Sequence, residues 1–306
     1  MASGRVVGIV ALCAAAAVAA IVGGTVLLSR HESTTPPVAT TTSVGATTTP
    51  RPGTPVIQLE VDPHSALGKA QNLLDNGHAA AAAAIFRRYA TPEAKLGLAF
   101  AQWTGRSSLA SVKAIAAANP DDPAMLLNLG WADYQAGRNA AAASAWQATA
   151  SRFPDSPYAV DALDALNPGV APGLPPIEVD PNAVPAQARA DLIAGVNLWN
   201  RLKRVVSART KLDAAAQLAP NSPEALVAAA VARFSPATPL APFPHLGPLT
   251  GTFPHDSVVR LHLGVLLLWT RQVAKGEAQL RLAAGEQPRS VYARQARQLL
   301  LALGQK

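Results

Sequence analysis

The chain has 306 residues, of which 49% are hydrophobic but only 5% aromatic and 15% charged, with a formal net charge of +7. This Ala-rich balance favours helices over a sheet built from Val, Thr and Tyr, and the length allows about two domains. The single cysteine, Cys13, excludes an intramolecular disulfide framework and a cysteine-based zinc site.

The first predicted element is a transmembrane helix over residues 6–28, which contain no charged side chain. A helix of that length spans about 34 Å, and a bilayer core is about 30 Å thick. A cleaved signal peptide is the alternative, but its apolar part is normally only about 7–15 residues long. Lipid attachment at Cys13 is another, which the bulky Leu12 before it disfavours. We expect an uncleaved anchor after a short tail of residues 1–5, with the N-terminus cytoplasmic because Arg5 precedes the helix.

A Thr/Pro-rich stretch follows over residues 29–61. Between Thr34 and Pro55 it contains nine Thr, five Pro and one charged residue. Such a sequence offers little apolar surface to offset the entropy cost of ordering the chain. We therefore predict a disordered stalk that holds an extracytoplasmic domain away from the cell membrane.

Beyond the stalk the sequence is duplicated. Short phrases recur, with 60–63 returning at 178–181, 91–94 at 222–225, and 154–159 at 288–293. This pattern predicts two modules over 62–166 and 180–306, joined by a Pro/Gly-rich linker over 167–179. Asp62 and Asp180, which each precede a predicted helix, are interpreted as N-caps.

Each module also contains a shorter repeat. Residues 123–156 form two Ala-rich helical stretches that are separated at Gly137 and ended by Pro154, with Leu129-Gly130 in the first and Trp146 in the second. This stretch resembles the tetratricopeptide repeat (TPR), as does its counterpart over 257–290. The resemblance implies an all-α, TPR-like solenoid of helical hairpins, since a single hairpin cannot bury its own apolar face.

Proline spacing divides each module into three hairpins and a capping helix. The predicted units are 64–90, 92–120, 123–154 and 156–166, then 186–220, 223–254, 257–288 and 290–303. Residues 235–256 depart from this scheme, because a Pro-rich sequence cannot form the second helix of its hairpin. We predict a loop with Leu240, Phe243, Leu246 and Phe253 packed on the module. It either covers the surface left by the missing helix or contributes to a binding site.

The sequence contains none of the common catalytic signatures. There is no phosphate-binding loop, no metal-protease motif and no nucleophile elbow, and the six His are scattered without metal-ligand spacing. We therefore predict a protein that is not an enzyme and has no cofactor or metal site. His262 is interpreted as an ordinary groove or core residue.

The TPR resemblance implies a concave groove lined by the first helix of each hairpin. Its candidate partner-binding residues are Leu127, Asn128, Trp131, Tyr134, Gln135, Leu261, His262, Val265, Leu268 and Trp269. Asn128 lies where TPR proteins often hold the backbone of a bound peptide. The aromatic residues are suited to anchoring a peptide or helix, or alternatively to packing on the neighbouring hairpin.

Charge differs between the modules, at −4 for residues 56–181 and +9 for residues 182–306. The candidate basic patch comprises Arg201, Lys203, Arg204, Arg209 and Lys211. The favoured hypothesis is a membrane-tethered scaffold of the bacterial cell envelope that binds a protein or peptide partner. The alternative is a structural envelope component whose basic module binds anionic cell-wall polymer or lipid headgroups. No nucleic acid partner is expected.

Overall fold

The computed structural model describes residues 55–304. Within this range there are fifteen helices and no strand, so the predicted all-α class is confirmed for the described part of the chain. None of these helices is both long and apolar enough to cross a bilayer. The predicted tail, transmembrane helix and stalk up to residue 54 lie outside the described residues.

The helices form hairpins in the order that the proline spacing predicts. Module 1 contains α1 (Ala66–Asp75), α2 (Ala79–Phe86), α3 (Pro92–Ala101), α4 (Arg106–Ala118), α5 (Pro123–Gln135), α6 (Asn139–Arg152) and α7 (Pro157–Leu166). Module 2 contains α8 (Ala186–Asn200), α9 (Val205–Leu218), α10 (Pro223–Val231), α11 (Phe243–Leu246), α12 (Leu249–Thr252), α13 (Ser257–Trp269), α14 (Val273–Glu286) and α15 (Val291–Ala302). Consecutive helices pack on one another, as a TPR-like solenoid requires.

The recurring Thr/Ser-Pro-Glu-Ala phrases are helix starts. The Thr91 hydroxyl accepts a hydrogen bond from Ala94 N at 3.3 Å, and the Ser222 hydroxyl accepts one from Ala225 N at 3.5 Å. Proline follows each cap at the first helical position, where its missing N–H has no intrahelical partner to lose. These phrases therefore begin α3 and α10, which hold the same place in the two modules.

The N-cap interpretation of Asp62 and Asp180 is wrong. Each carboxylate accepts a hydrogen bond from the backbone two residues later, at 2.9 Å from His64 N and 2.8 Å from Asn182 N. Helices α1 and α8 begin only four and six residues further on. The two aspartates close a turn ahead of the helix, and Ser65 is the N-cap of α1.

Small residues allow the paired helices to approach closely. A Cβ added at Gly195 of α8 would lie 2.6 Å from Leu212 Cγ of α9, and one at Gly264 of α13 would lie 2.9 Å from Leu280 of α14. The space beside each glycine is thus filled by a leucine of the partner helix, and both leucines are completely buried. The crossing of each hairpin depends on the absence of a side chain at these positions.

Each module has its own apolar core. Phe86, Phe100 and Met125 are fully buried in module 1, and Trp199 and Phe234 in module 2. The chain divides into two compact units at Asn167. Residues 167–179, predicted as a free linker, therefore belong to module 2, where Ala171 and Ile177 are part of the core.

The Pro-rich residues 235–256 contain only the single-turn helices α11 and α12, which confirms that a full second helix is absent. Leu246 is buried, and Phe243 and Phe253 pack against the module 2 core. Leu240 is 61% exposed, so its predicted packing on the module is wrong. Its neighbour Pro239 lies in a turn.

Candidate functional site

A non-helical segment lies across the helices of each module. Segment 1 (residues 55–62) belongs to module 1, and segment 2 (residues 171–180) belongs to module 2. In segment 1, Ile57 and Leu59 are buried while Val56 and Glu60 are exposed. This period of two is that of an extended chain with one face on the protein. The stalk was predicted to continue to residue 61, and the structure corrects this, because burial of these apolar side chains orders the chain.

The backbone of segment 1 is held by side chains from the first and last helices of module 1 and from α5. Asn128 Oδ1 accepts from Gln58 N at 2.9 Å, and Asn128 Nδ2 donates to Gln58 O at 2.7 Å. The hydroxyl of Tyr158 on α7 accepts from Glu60 N at 2.6 Å. On the other edge, Gln71 of α1 accepts from Leu59 N at 3.3 Å. Main-chain groups that would be costly to bury unpaired are therefore satisfied by the groove.

The side chains of segment 1 add apolar contacts and one polar contact. Ile57 and Leu59 join the cluster that contains Leu74, Phe100 and Leu127. Burial of an aliphatic side chain of this size stabilises a folded state by roughly 1.5–3 kcal/mol. Between them, Gln58 Oε1 accepts from Trp131 Nε1 at 3.1 Å. The groove of module 1 thus accommodates an extended chain with apolar residues at two alternate positions and a hydrogen-bond acceptor between them.

Segment 2 is bound in the same manner. Asn200 of α8 pairs with both backbone groups of Ile177, accepting from its N at 3.0 Å and donating to its O at 2.8 Å. His262 Nε2 accepts from Glu178 N at 2.9 Å, and the Tyr292 hydroxyl accepts from Asp180 N at 2.7 Å. The two grooves therefore recognise an extended main chain with one chemical plan.

The side chains that bind the two segments occupy equivalent positions in the two modules, but the segments themselves are offset by two residues. His262 occupies the place of Asn128, and Tyr292 that of Tyr158, each 134 residues later. Their backbone partners, however, are 120 residues apart, whereas the repeated EVDP phrases are 118 apart. A difference of two residues keeps the same side-chain face toward the groove. Segment 1 thus has two more residues between its groove contacts and the following turn.

Tryptophan indoles extend the contacts of segment 2 toward its N-terminal end. Trp199 Nε1 donates to Pro175 O at 2.8 Å, and Trp269 Nε1 donates to Gly173 O at 3.4 Å. The carbonyl of Trp269 accepts from Ala171 N at 3.0 Å. Segment 2 is therefore held over a longer stretch than segment 1.

The tautomer of His262 follows from its neighbours. Nε2 accepts from a backbone N–H, and Nδ1 lies 2.8 Å from the carbonyl oxygen of Val258, which only accepts. The ring is therefore neutral, with its proton on Nδ1. Burial lowers the pKa of His262 to about 4, opposed in part by the bond to Val258. An imidazolium here would lose the acceptor for Glu178 N.

Glu178 is the other titratable group in this groove. Burial raises the pKa of its carboxyl to about 7, and its Oε2 atom is buried with no hydrogen-bond partner among the described residues. Burial also raises the pKa of both groove tyrosines above the usual range. Both phenols thus stay neutral as they accept from the segments.

The predicted groove residues lie on α5 in module 1 and on α13 in module 2, and four of them hydrogen-bond a segment: Asn128, Trp131, His262 and Trp269. Leu127, Asn128, Gln135, Leu261, His262, Val265, Leu268 and Trp269 are buried, Trp131 is half-buried and Tyr134 is 36% exposed. The aromatic rings also contact one another, with centroids of Trp131 and Trp146 at 4.8 Å and of Trp131 and Tyr134 at 6.0 Å. Tyr134 therefore lies at the accessible rim of the module 1 groove.

Several residues of the site were not predicted from the sequence. These are Gln71, Tyr158, Trp199, Asn200 and Tyr292, which all bind a segment backbone. The repeated Pro-x-Ser-x-Tyr phrase was a usable signal for the two tyrosines, since it places them at equivalent positions. The amides of Gln71 and Asn200 have no comparable signature.

The candidate basic patch divides into two sets. Arg209 donates to Ala232 O at 3.1 Å, and Lys211 pairs with Asp191 at 2.8 Å. Arg201, Lys203 and Arg204 lie in the α8–α9 turn, in which Leu202 and the neighbouring Val206 are both 46% exposed. The turn therefore presents cations beside aliphatic side chains. Between residues 55 and 304 no cluster of three or more His, Cys, Asp or Glu is arranged to hold a metal.

Comparison with known proteins gives matches only to solved structures. No family model matches the chain, and no curated protein matches it. The yeast Sti1 TPR2AB domain, solved as a pHSP90 complex, is 10% identical at a TM-score of 0.33, over 78% of this chain and 96% of that one. A tetratricopeptide repeat protein from Parabacteroides merdae is 11% identical at a TM-score of 0.29, over 78% and 91%. The helical-hairpin architecture is therefore established by the helices of this chain and by their packing.

Proposed function

We propose that this protein is a membrane-tethered scaffold of the cell envelope, and that its TPR-like modules bind an extended segment of a protein partner. The observation that supports this is the way Asn128 and His262, with Tyr158 and Tyr292, hydrogen-bond the backbone of a non-helical segment. Recognition of a main chain by side-chain amide, imidazole and phenol groups is binding chemistry.

The tether is proposed from the sequence. Residues 6–28 are apolar and uncharged, and Arg5 favours a cytoplasmic N-terminus. The modules would then lie outside the cytoplasm at the end of the Thr/Pro-rich stalk. Attachment to the bilayer would raise their local concentration near other membrane proteins.

Photocrosslinking in intact cells tests the scaffold proposal. A photoreactive phenylalanine replaces Tyr134 at the groove rim, and in a matched control it replaces Tyr89, which is 42% exposed beyond α2. We expect a discrete protein adduct from position 134 that is absent from position 89. Identical adduct patterns from both positions, or none from position 134, would contradict the proposal.

A second candidate function is binding of anionic polymer or lipid headgroups through the α8–α9 turn. It is supported by Arg201, Lys203 and Arg204 beside the exposed Leu202 and Val206, a combination suited to an anionic surface.

Sedimentation with anionic vesicles tests this candidate. We expect R201E/R204E to reduce binding and R87E/R88E, in the module 1 turn after α2, to leave it unchanged. Binding through charge should also fade at about 0.5 M salt, where screening extends only a few Å. Equal losses from both variants would indicate a general effect of net charge.

A further inference from the structure

We infer that segment 1 is an exchangeable occupant of the module 1 groove, and that the partner binds there by an extended segment of its own with apolar side chains at two alternate positions. This inference rests on the proposed function and names both the kind of partner and what limits its access.

The contacts that hold segment 1 are mostly made to its backbone. Asn128, Tyr158 and Gln71 bind only backbone atoms of segment 1, so they would bind any extended chain equally well. Pro55, Ile57 and Leu59 are buried at alternate positions, and the larger side chains of Ile57 and Leu59 belong to the apolar cluster of module 1. The fitting sequence is therefore apolar, then a hydrogen-bond acceptor for Trp131, then apolar. The same features that hold segment 1 would hold a partner segment in its place.

The two segments differ in how far along the backbone they are held. The groove hydrogen bonds of segment 1 lie between residues 57 and 60, whereas those of segment 2 lie between residues 171 and 180. Segment 2 lies between α7 and α8, and its contacts extend back to residues 168 and 169, whose carbonyls accept from Arg271. Displacing segment 2 would break hydrogen bonds over a longer stretch of backbone than displacing segment 1. Exchange is therefore assigned to module 1.

The turn after segment 1 favours a partner protein over a second copy of this chain as the exchanging occupant. The turn after segment 1 is closed by two hydrogen bonds to Asp62 O, from Ser65 N at 2.9 Å and from Ser65 Oγ at 2.6 Å. A Cβ on Gly68 would lie 2.7 Å from Pro63 Cα, so the turn packs tightly on α1. This turn directs segment 1 into its own groove at an effective concentration of the order of millimolar. Exchange of segment 1 between two copies of this chain would require this turn to open. A partner segment only needs to compete with segment 1 for the groove.

The test measures binding of a fluorescent peptide with the sequence of residues 54–63 to the full chain in mild detergent. Variant I57A/L59A weakens the internal competitor, and V56A is the control that shortens an apolar side chain of the same segment at a position that is 54% exposed. We expect I57A/L59A to bind the peptide at least about tenfold more tightly than the unmodified chain, and V56A to bind like the unmodified chain. A peptide with Ser at both apolar positions should not bind.

Three outcomes would overturn the inference. Equal affinity of all three proteins would show that segment 1 does not limit access. Absence of peptide binding to every protein would show that the groove takes no segment in trans, while adducts at position 134 would still support the scaffold proposal. A concentration-dependent dimer that excludes the peptide would identify a second copy as the occupant.

Hydrogen exchange tests the inference on the unmodified chain, so the result does not depend on whether a variant folds. We expect the amides of Gln58, Leu59 and Glu60 to exchange faster than those of Ile177 and Glu178, and to accelerate further when excess peptide displaces segment 1. Equal rates in the two segments, unaffected by the peptide, would contradict the inference.

Discussion

At the scale of single residues, Asn128 and His262 perform one task with different side chains. Each accepts from a backbone N–H of its segment, but only His262 has a protonation state that removes the acceptor. The groove of module 2 thus carries a dependence on pH that the groove of module 1 lacks at this position. Glu178, whose N–H is the donor to His262, adds a second dependence of opposite sense.

We predict that replacing Glu178 by Gln stabilises module 2 at alkaline pH. Since burial raises the pKa of this carboxyl from its ordinary value near 4.5 to about 7, the folded state favours the protonated form. Stability from this group is complete below pH 4.5 and is lost as the pH rises through 7, by at most about 3 kcal/mol. Thermal unfolding at pH 5 and 8 should show a smaller difference for E178Q than for the unmodified chain.

We predict the opposite pH effect for His262. Its folded pKa of about 4 lies below its ordinary value of 6.5, so stability is complete above pH 6.5 and is lost as the pH falls through 4. His262→Asn supplies an uncharged amide of the kind that Asn128 uses. Melting curves should show that H262N loses less stability than the unmodified chain between pH 7 and 4. If H262N lost as much stability in acid as the unmodified chain, that loss would come from other groups.

At the scale of helices, the hairpins could be predicted because their signals are local. Proline positions mark where α3, α5 and α10 begin, and a run of prolines prevents a second helix after α10. The two segments could not be predicted in the same way. The sequence of segment 1 follows the Thr/Pro-rich stretch without a break, and most of its backbone hydrogen bonds come from side chains about 70 to 98 residues away. The alternation of apolar and polar residues from Ile57 to Val61 is too short to indicate which helices the segment contacts.

The helix crossings give a prediction with a matched control in one module. Gly195→Ala should destabilise the fold by about 1–3 kcal/mol, because its Cβ would overlap with Leu212. Gly285→Ala in α14 meets no atom within 4 Å and should be neutral or stabilise by up to about 1 kcal/mol, since alanine favours a helix more than glycine does. Chemical denaturation measures both. Equal effects of the two substitutions would contradict close packing at the α8–α9 crossing.

At the scale of the whole molecule, the boundary between the modules lies earlier than the sequence predicts. The Pro/Gly-rich composition of residues 167–179 predicts a linker, because it disfavours a helix. The structure places them in the groove of module 2, where Trp199 and Trp269 bind their carbonyls. Composition alone does not separate a flexible linker from an extended chain that is bound along its length.

This boundary is testable with two fragments. We predict that residues 167–304 fold on their own, with a cooperative thermal transition followed by circular dichroism. Residues 181–304 lack segment 2 and should melt at least several degrees lower, because Ile177 and Ala171 no longer cover the core. Equal melting temperatures would show that segment 2 contributes nothing to the module.

Because Gln71 belongs to the first helix of module 1 and Tyr158 to its last, segment 1 connects the two ends of that solenoid across its inner side. Such a connection limits how far the stacked hairpins can spread apart. Exchange of the segment would therefore change the stiffness of the module as well as its occupancy. A pulling force applied through the chain before residue 55 would act on this same connection first.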